Sequence, residues 1–289
     1  MKICFNCSEI FNSTGWECPK CHTAPEVVDG HLSFEPNLAG GTSSFRTDRF
    51  AKLFEIEAGN FWFRSRNQLI LWAMKKYFPT AKKFFEIGCG TGFVLSAVEK
   101  ELPWLKSFGS DIHSEGIYYA SKRLRKTQLF QMDARKIPFD REFDVIGAFD
   151  LLEHIKEDQA VLSQMHQAVH ERGGIILTVP QHPFLWSYID EIACHVCRYN
   201  AGKLKGKVEK VGFKIIETIS FMSLLLPLVV VSRLNKKKTV KENIVRPDLK
   251  LPRAVDNVLG WILDLERYLI RSGIRFPIGS SLLLVARKV

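Results

Sequence analysis

The chain lacks an apolar run long enough to cross a bilayer. Its greasiest stretch, Ile219 to Val231, is broken by Pro227, and a spanning helix needs about 20 residues. No apolar run follows the basic residue of Met1-Lys2-Ile3-Cys4, so the start does not read as a signal peptide. There is no internal repeat and no low-complexity tract. Glycines stand at 88, 90 and 92, but position 93 is Phe and no Lys follows. That spacing excludes the G-x-G-x-x-G turn of a dinucleotide site and the lysine-bearing loop that cradles phosphates. Acidic residues are outnumbered, 31 against 41 basic, for a formal net charge of +10. The surplus is a solvated basic surface or points to an anionic partner: RNA, acidic lipid or a phosphorylated substrate. A hydrophobic content of 46% with 25% charged residues is ordinary for a soluble globular chain. At 289 residues there is room for one large core and a small appendage.

Cysteine is not scarce. There are seven, an odd number, and four of them form Cys4-x2-Cys7 and Cys18-x2-Cys21. Without an export signal, such pairs favour metal over disulfides. Two C-x-x-C knuckles supply four thiolates to one tetrahedral ion. Residues 1–30 are therefore expected to be a structural, non-catalytic zinc ribbon, too small to fold without its metal. A disulfide or redox pair is the alternative, and His22 is read as a bystander. Cys194-His195-Val196-Cys197 has no partner pair, and its thiols are expected to be reduced and partly packed.

Residues 31–58 are expected to be a linker, because His31 to Asp48 is rich in Gly, Ser, Thr and Pro. A helical pattern runs from Phe61 to Phe78, where Pro79 stops it. From residue 82 strand and helix alternate. Expected strands are Lys83–Ile87, Ser107–Ile112, Leu129–Met132, Asp144–Phe149, Gly174–Val179 and Phe213–Ser220, with Ser281–Ala286 last. Expected helices are Gly92–Leu102, Glu115–Leu124, Lys156–His170 and Gly202–Val211. This alternation implies a parallel sheet covered on both faces. About sixty residues separate the last two strands, too many for a plain loop. An apolar helix (Phe221–Leu234), a basic loop (Asn235–Arg253) and an amphipathic helix (Ala254–Arg271) are expected there.

The stretch from Phe84 to Leu95 reads as a strand ending in Glu86-Ile87, a turn with three alternating glycines, and a helix start. Glycine lets a ligand rest against bare backbone. Glu86-Ile87-Gly88-Cys89-Gly90-Thr91-Gly92 resembles the first motif of class I S-adenosylmethionine-dependent methyltransferases. Asp111 follows, 19 residues after Gly92, then Gln131-Met132-Asp133-Ala134, Phe143 to Asp150, and Gly173 to Leu177. Each resembles the corresponding element of that family. Leu152-Glu153-His154-Ile155 resembles the quinone-biosynthesis subgroup of small-molecule methyltransferases.

The resemblance implies a Rossmann-like α/β fold with a seven-stranded methyltransferase sheet, occupying 59–220 and 281–289, with a helical insertion over 221–280. It also implies the cofactor site. Glu86 orients the turn and draws on the cofactor's amino group. Gly88, Gly90 and Gly92 admit its methionyl part and ribose, and Asp111 takes the ribose hydroxyls. Asp133 takes the adenine amino group, Ile112 and Ala134 sandwich the ring, and Asp150 closes the set. Cys89 is read as a packing residue.

Methyl transfer needs a general base only where the acceptor must lose a proton. Asp150, His154, His182 and Asp190 stand at the sheet's C-terminal edge; His154 and Asp150 are the catalytic candidates, although His154 also suits a packing or capping role. Trp62, Phe63, Arg66 and His182 are substrate candidates, the aromatics equally suited to packing on the sheet. The family's amine-methylating motif, Asn/Asp-Pro-Pro-Tyr/Phe, is replaced by Asp150-Leu151-Leu152-Glu153, which favours O- or C-methylation.

The insertion sets an apolar stretch beside Arg233, Lys236, Lys237, Lys238, Lys241, Arg246, Lys250 and Arg253. That pattern fits an anchor on acidic lipid, or a lid helix or dimer seam. The expected protein is a cytoplasmic methyltransferase, peripheral on the inner membrane face, acting on a small apolar or lipid-linked acceptor with S-adenosylmethionine and structural Zn2+. A ribosomal-RNA methyltransferase contacting RNA through its ribbon is one alternative. A non-enzymatic binding protein is the other. The residues leave the oligomeric state open.

Overall fold

The computed structural model describes residues 1–38, 49–234 and 251–289. At its centre is a nine-stranded mixed sheet. Seven strands form the core: β5 (Lys83–Ile87), β6 (Lys106–Asp111), β7 (Gln128–Gln131), β8 (Phe143–Phe149), β9 (Val169–Pro180), β10 (Phe213–Phe221) and β11 (Ser281–Lys288). Strands β5 to β9 are parallel, while β11 runs antiparallel between β9 and β10. The central strands are largely apolar on both sides and are buried beyond their first residues, as parallel sheets demand.

One face carries α2 (Phe61–Tyr77), α3 (Phe93–Glu101), α4 (Ser114–Arg123) and α9 (Arg253–Arg271). The other carries α5 (Asp158–Ala168) and α7 (Ala201–Lys210). Helix α2 starts where the Asn60 side chain accepts from the Trp62 amide. Strand β5 lies between β6 and β8. The chain changes direction there, and the crevice beyond the strands' C-terminal ends is where ligands bind in such sheets.

The N-terminal segment holds the four-cysteine unit that fits a small ribbon, but departs from the expected linker. Its first strands, β1 (Lys2–Ile3) and β2 (Ile10–Phe11), form a small sheet of their own. The next two, β3 (Glu26–Val28) and β4 (His31–Ser33), make a hairpin that joins the central sheet, with β4 parallel to β7. Helix α1 (Arg49–Ile56) and a short turn at Glu57–Gly59 then fold over the glycine turn. Composition marked this stretch as linker because its ordering contacts are with distant strands. Residues 39–48 lie outside the described residues.

The insertion holds α8 (Leu226–Leu234) and α9. The apolar helix starts later than expected because Phe221 is still in the ladder, opposite Ser281. The Ser223 and Leu224 amides are then taken by the Glu266 carboxylate, each at 2.8 Å. The expected basic loop lies at 235–250 outside the described residues.

Candidate functional site

The glycine turn between β5 and α3 has three left-handed residues, Gly88 (φ 70), Gly90 (φ 51) and Gly92 (φ 72). Their roles differ. A side chain at Gly88 would strike Leu151, and one at Gly92 would strike Leu124 and Ala120. At Gly90 it would meet only the Phe50 ring, at 3.8 Å. Gly90 is therefore the glycine whose open side suits a ligand; the other two allow the turn to pack.

Around the turn stand the acids that the sequence singled out. Glu86 is 3% exposed, and its Oε2 has no hydrogen-bond partner. Burial pushes its carboxyl well above the usual range, against the pull of Arg66. Asp111 accepts from the Gly90 amide and the His113 amide, each at 2.9 Å. Burial raises its pKa, opposed by His113 and these amides. Beside it, the Ile112 carbonyl takes the Gln131 side-chain amide at 2.9 Å.

Asp133 is placed differently from the expected adenine ligand. Its carboxylate is engaged by the Arg135 guanidinium at 2.7 and 3.0 Å and by the Arg135 amide. Burial alone would raise it, but these bonds hold it below its ordinary value. Ala134 is buried next to it.

Sequence reasoning missed the cover. Phe50 of α1 lies against Gly90 and Gly116, with its ring 5.7 Å from that of His113. Glu57 accepts from Thr91 Oγ1 at 2.6 Å and from Arg123 at 2.8 Å, tying the cover to the turn.

The neighbouring strand ends hold a second group. Asp150 follows β8 in a left-handed conformation (φ 55), ion-paired to Arg66 and accepting from Thr178 Oγ1 at 3.3 Å. Arg66 also lies over the rings of Trp62 and Phe63, 4.7 and 5.6 Å from their centroids. The structure thus brings Arg66, Trp62, Phe63 and Asp150 together. Trp62 and Arg66 line a shallow cleft with Phe221, Met222 and Leu263.

Beyond Asp150, Glu153 is wholly buried and both carboxyl oxygens lack a hydrogen-bond partner. Burial and the Asp150 charge push its pKa well above the usual range. His154 sets its ring edge-on to His195, 4.8 Å between centroids. His195 Nδ1 is 2.9 Å from Asp190 Oδ1, which also accepts from Arg198 Nε at 2.8 Å. Arg233 of α8 reaches Ser187 and, at 3.5 Å, Asp190. Burial would raise Asp190, but His195, Arg198 and Arg233 hold it well below the carboxylate range.

His195, Glu153 and Arg198 were not singled out. A readable signal was Ser187-x-x-Asp190, the capping box that opens α6 (Tyr188–Ile192). His182 lies apart, its ring tilted against Phe184 at 5.1 Å between centroids. Burial and Arg198 lower its pKa.

Among the described residues two groups suit a metal. Cys4, Cys7, Cys18 and Cys21 converge with their Sγ atoms within 4.8 Å of one another. The Cys7 amide donates to Cys4 Sγ, and Asn6 donates to Cys21 Sγ. This donor set fits a soft tetrahedral ion. Glu153, His154 and His195 likewise place one ligand atom each within 4.8 Å of the others.

The Glu86 orphan oxygen, the open side of Gly90 and the Asp111 carboxylate fit a cationic amino acid joined to a nucleoside. A chain from the complex between the Haloferax volcanii Trm112 methyltransferase activator and a methyltransferase superposes with a TM-score of 0.57 at 14% identity, covering 86% of this chain and 99% of that one. Haemonchus contortus phosphoethanolamine N-methyltransferase 2, in complex with S-adenosyl-L-methionine, gives 0.56 at 18% identity, covering 90% of this chain and 60% of that one. A SAM-dependent methyltransferase from Archaeoglobus fulgidus gives 0.50 at 20% identity, covering 77% and 94%. At such identities the likeness is one of fold. No curated protein matches. The methyltransferase domain family matches residues 56–218, more than half of the chain; the chain belongs to that family and is a class I S-adenosylmethionine-dependent methyltransferase.

Proposed function

We propose that this enzyme methylates an oxygen or carbon atom of an apolar or lipid-linked small molecule. The observation that carries the reading is the buried group beside Asp150. Glu153 without a hydrogen-bond partner, His154, His195 and Asp190 are groups that exchange protons, set where β8 and β9 end. An O–H or C–H acceptor must lose a proton, and such groups are what that requires. S-adenosylmethionine supplies an already activated methyl group. The chain's own share is to hold the cofactor through Glu86, Gly90, Asp111 and Ile112, to exclude water, and to position the acceptor.

On this reading Asp150, neutralised by Arg66, braces the acceptor side rather than serving as the base, and His154 is the proton acceptor. Trp62 and Phe63 wall the acceptor, with Arg66 fixed between them and Asp150. Asp133 reaches the adenine amino group only once its Arg135 contacts loosen. The four N-terminal cysteines hold a structural zinc ion. The basic, apolar sequence of the insertion supports a cytoplasmic enzyme working at an acidic membrane face.

Calorimetry with S-adenosylmethionine tests the cofactor site; a chain that takes up none overturns its assignment. Transfer of tritiated methyl groups tests the acceptor. Label in an organic-phase lipid or quinone extract is expected, and label confined to ribosomal RNA would overturn the small-molecule reading.

A further inference from the structure

Helix α9 carries apolar residues on two faces. One is spent on the core: Leu263 and Ile270 are buried against the cluster that includes α2. Asp256 on that side accepts from the Phe61 amide at 2.6 Å and from Arg64 at 2.7 Å, fixing the helix to the start of α2. The opposite face should then be polar, as on an ordinary surface helix. It is not. Val255, Val258, Trp261, Leu265 and Tyr268 recur at helical spacing and are 43%, 49%, 70%, 53% and 68% exposed. They form one stripe from Val255 to Tyr268 of this 19-residue helix, about 20 Å long. Arg253, Asn257, Asp264 and Arg271 border it on one side.

The same insertion exposes other apolar residues. The Leu224 amide is held by Glu266 of α9, and Ser223 Oγ donates to the Ile278 carbonyl at 2.6 Å. Leu224 and Ile278 are themselves 37% and 49% exposed, and Leu228 and Val231 of α8 are 58% and 63% exposed. Single exposed apolar residues need no explanation, but a stripe of five on one helix does.

Charge selects the occupant. The segment leading into α9, residues 235–253, carries seven Lys and Arg against two acids. Trp and Tyr are the side chains that settle at the boundary between lipid and water. An apolar stripe with Trp and Tyr, an arginine near each end and a cationic approach fits an anionic lipid surface. No described helix is long and apolar enough to cross a membrane, so contact through this face would be in the plane of the interface.

We infer that the outer face of α9, with Trp261 and Leu265 at its centre, is a docking surface for an anionic lipid bilayer. This deepens the lipid-linked reading of the acceptor and rests on it for its purpose. Glu266 of α9 holds the Ser223–Leu224 turn that leads into α8, and Arg233 of α8 reaches the Asp190 carboxylate beside His195. The insertion that carries the docking face thus also touches the acceptor group.

Co-sedimentation of the full-length chain with vesicles tests the inference. Vesicles of phosphatidylcholine with about 30% phosphatidylglycerol are compared with phosphatidylcholine alone at about 0.1 M salt. Partitioning onto the anionic vesicles is expected to be about tenfold stronger or more. Trp261→Glu with Leu265→Glu should reduce it by about tenfold or more, while Trp104→Glu, at an exposed tryptophan before β6, leaves it unchanged. Both substitutions in α9 are at exposed positions, and circular dichroism reports their folding.

Absence of binding to the anionic vesicles overturns the inference, as does undiminished binding of the α9 double variant. So does a dimer in sedimentation velocity that the double variant dissolves, because the face would then meet a second copy. S-adenosylmethionine calorimetry on the same samples separates the readings. Vesicle binding without cofactor binding sinks the cofactor assignment alone, and the reverse sinks only the lipid surface.

Discussion

The C-terminal edge of the sheet is built in two ways. The half proposed to hold the cofactor, at β5, β6 and β7, places side chains on or next to the strand ends: Glu86, Gly90, Asp111, Asp133. Two of its acids are held close by, Asp111 by the Gly90 and His113 amides and Asp133 by Arg135. The acceptor half, at β8 and β9, is assembled from distant pieces: Arg66 of α2, Asp150 and Glu153 after β8, Asp190 of α6, His195 and Arg198 beyond it, and Arg233 of α8. On the proposed reading the first is a socket for one molecule, and the second is a charge network whose members come from the elements around the acceptor. One fold can thus keep its cofactor and change its acceptor.

Removing the hub of the acceptor half should have the largest effect. Asp190→Ala leaves Arg198, 7% exposed, without its carboxylate. Loss of one partner from such a buried pair costs about 3–5 kcal/mol. Denaturant melts should show that loss, while the folded fraction keeps its affinity for S-adenosylmethionine. A loss below about 1 kcal/mol would mean that the network is not the frame of this half.

The cofactor half should respond in the opposite sense. Asp111→Asn is expected to weaken S-adenosylmethionine about tenfold to 100-fold, roughly 1.4–2.7 kcal/mol, in calorimetry. Its effect on the melt should be smaller than that of Asp190→Ala. Equal cofactor affinity would remove Asp111 from the site and blur the division between the halves.

A smaller effect separates them by pH. Burial raises the folded pKa of Glu153, so the native carboxyl keeps its proton while the unfolded one ionises above about pH 4.3. The folded state then binds more protons, and its stability falls as pH rises from there toward the folded pKa. Glu153→Gln removes that penalty. The variant should gain about 1 kcal/mol over the parent at pH 8, with the gap closing toward pH 4, in thermal melts. Glu86 is raised for the same reason, but saturating cofactor should abolish the gain of Glu86→Gln and leave that of Glu153→Gln in place.

The same contrast explains what could be read from the chain. The strands from β5 to β9 and the glycine turn were legible because period, glycine spacing and strand-end acids are local signals. Helix α9 was legible to within one residue, since its amphipathic pattern is continuous. The two cysteine knuckles were legible as a group because four Sγ atoms need only short spacings to meet. Phe50 and Glu57 were hidden in a stretch whose composition says linker, because their partners, Gly90, Gly116, Thr91 and Arg123, are 32 or more residues away. His195 was overshadowed by the cysteines on either side of it. The assignment of Asp133 to adenine took no account of Arg135, two positions on, whose guanidinium reaches back to the same carboxylate.

The β3–β4 hairpin bears on how the chain can be shortened. Gln131 receives the Ser33 hydroxyl at 2.7 Å and donates to the Glu35 carbonyl at 3.0 Å. Trp16 sets its ring edgewise on Phe34, Phe130 and Phe139. Trimming residues 1–38 to obtain a minimal catalytic fragment would strip that lining and leave β7 as a bare outermost strand. Its unpaired amides and carbonyls would invite other chains to add on. Such a fragment should precipitate even though every residue of the glycine turn is retained.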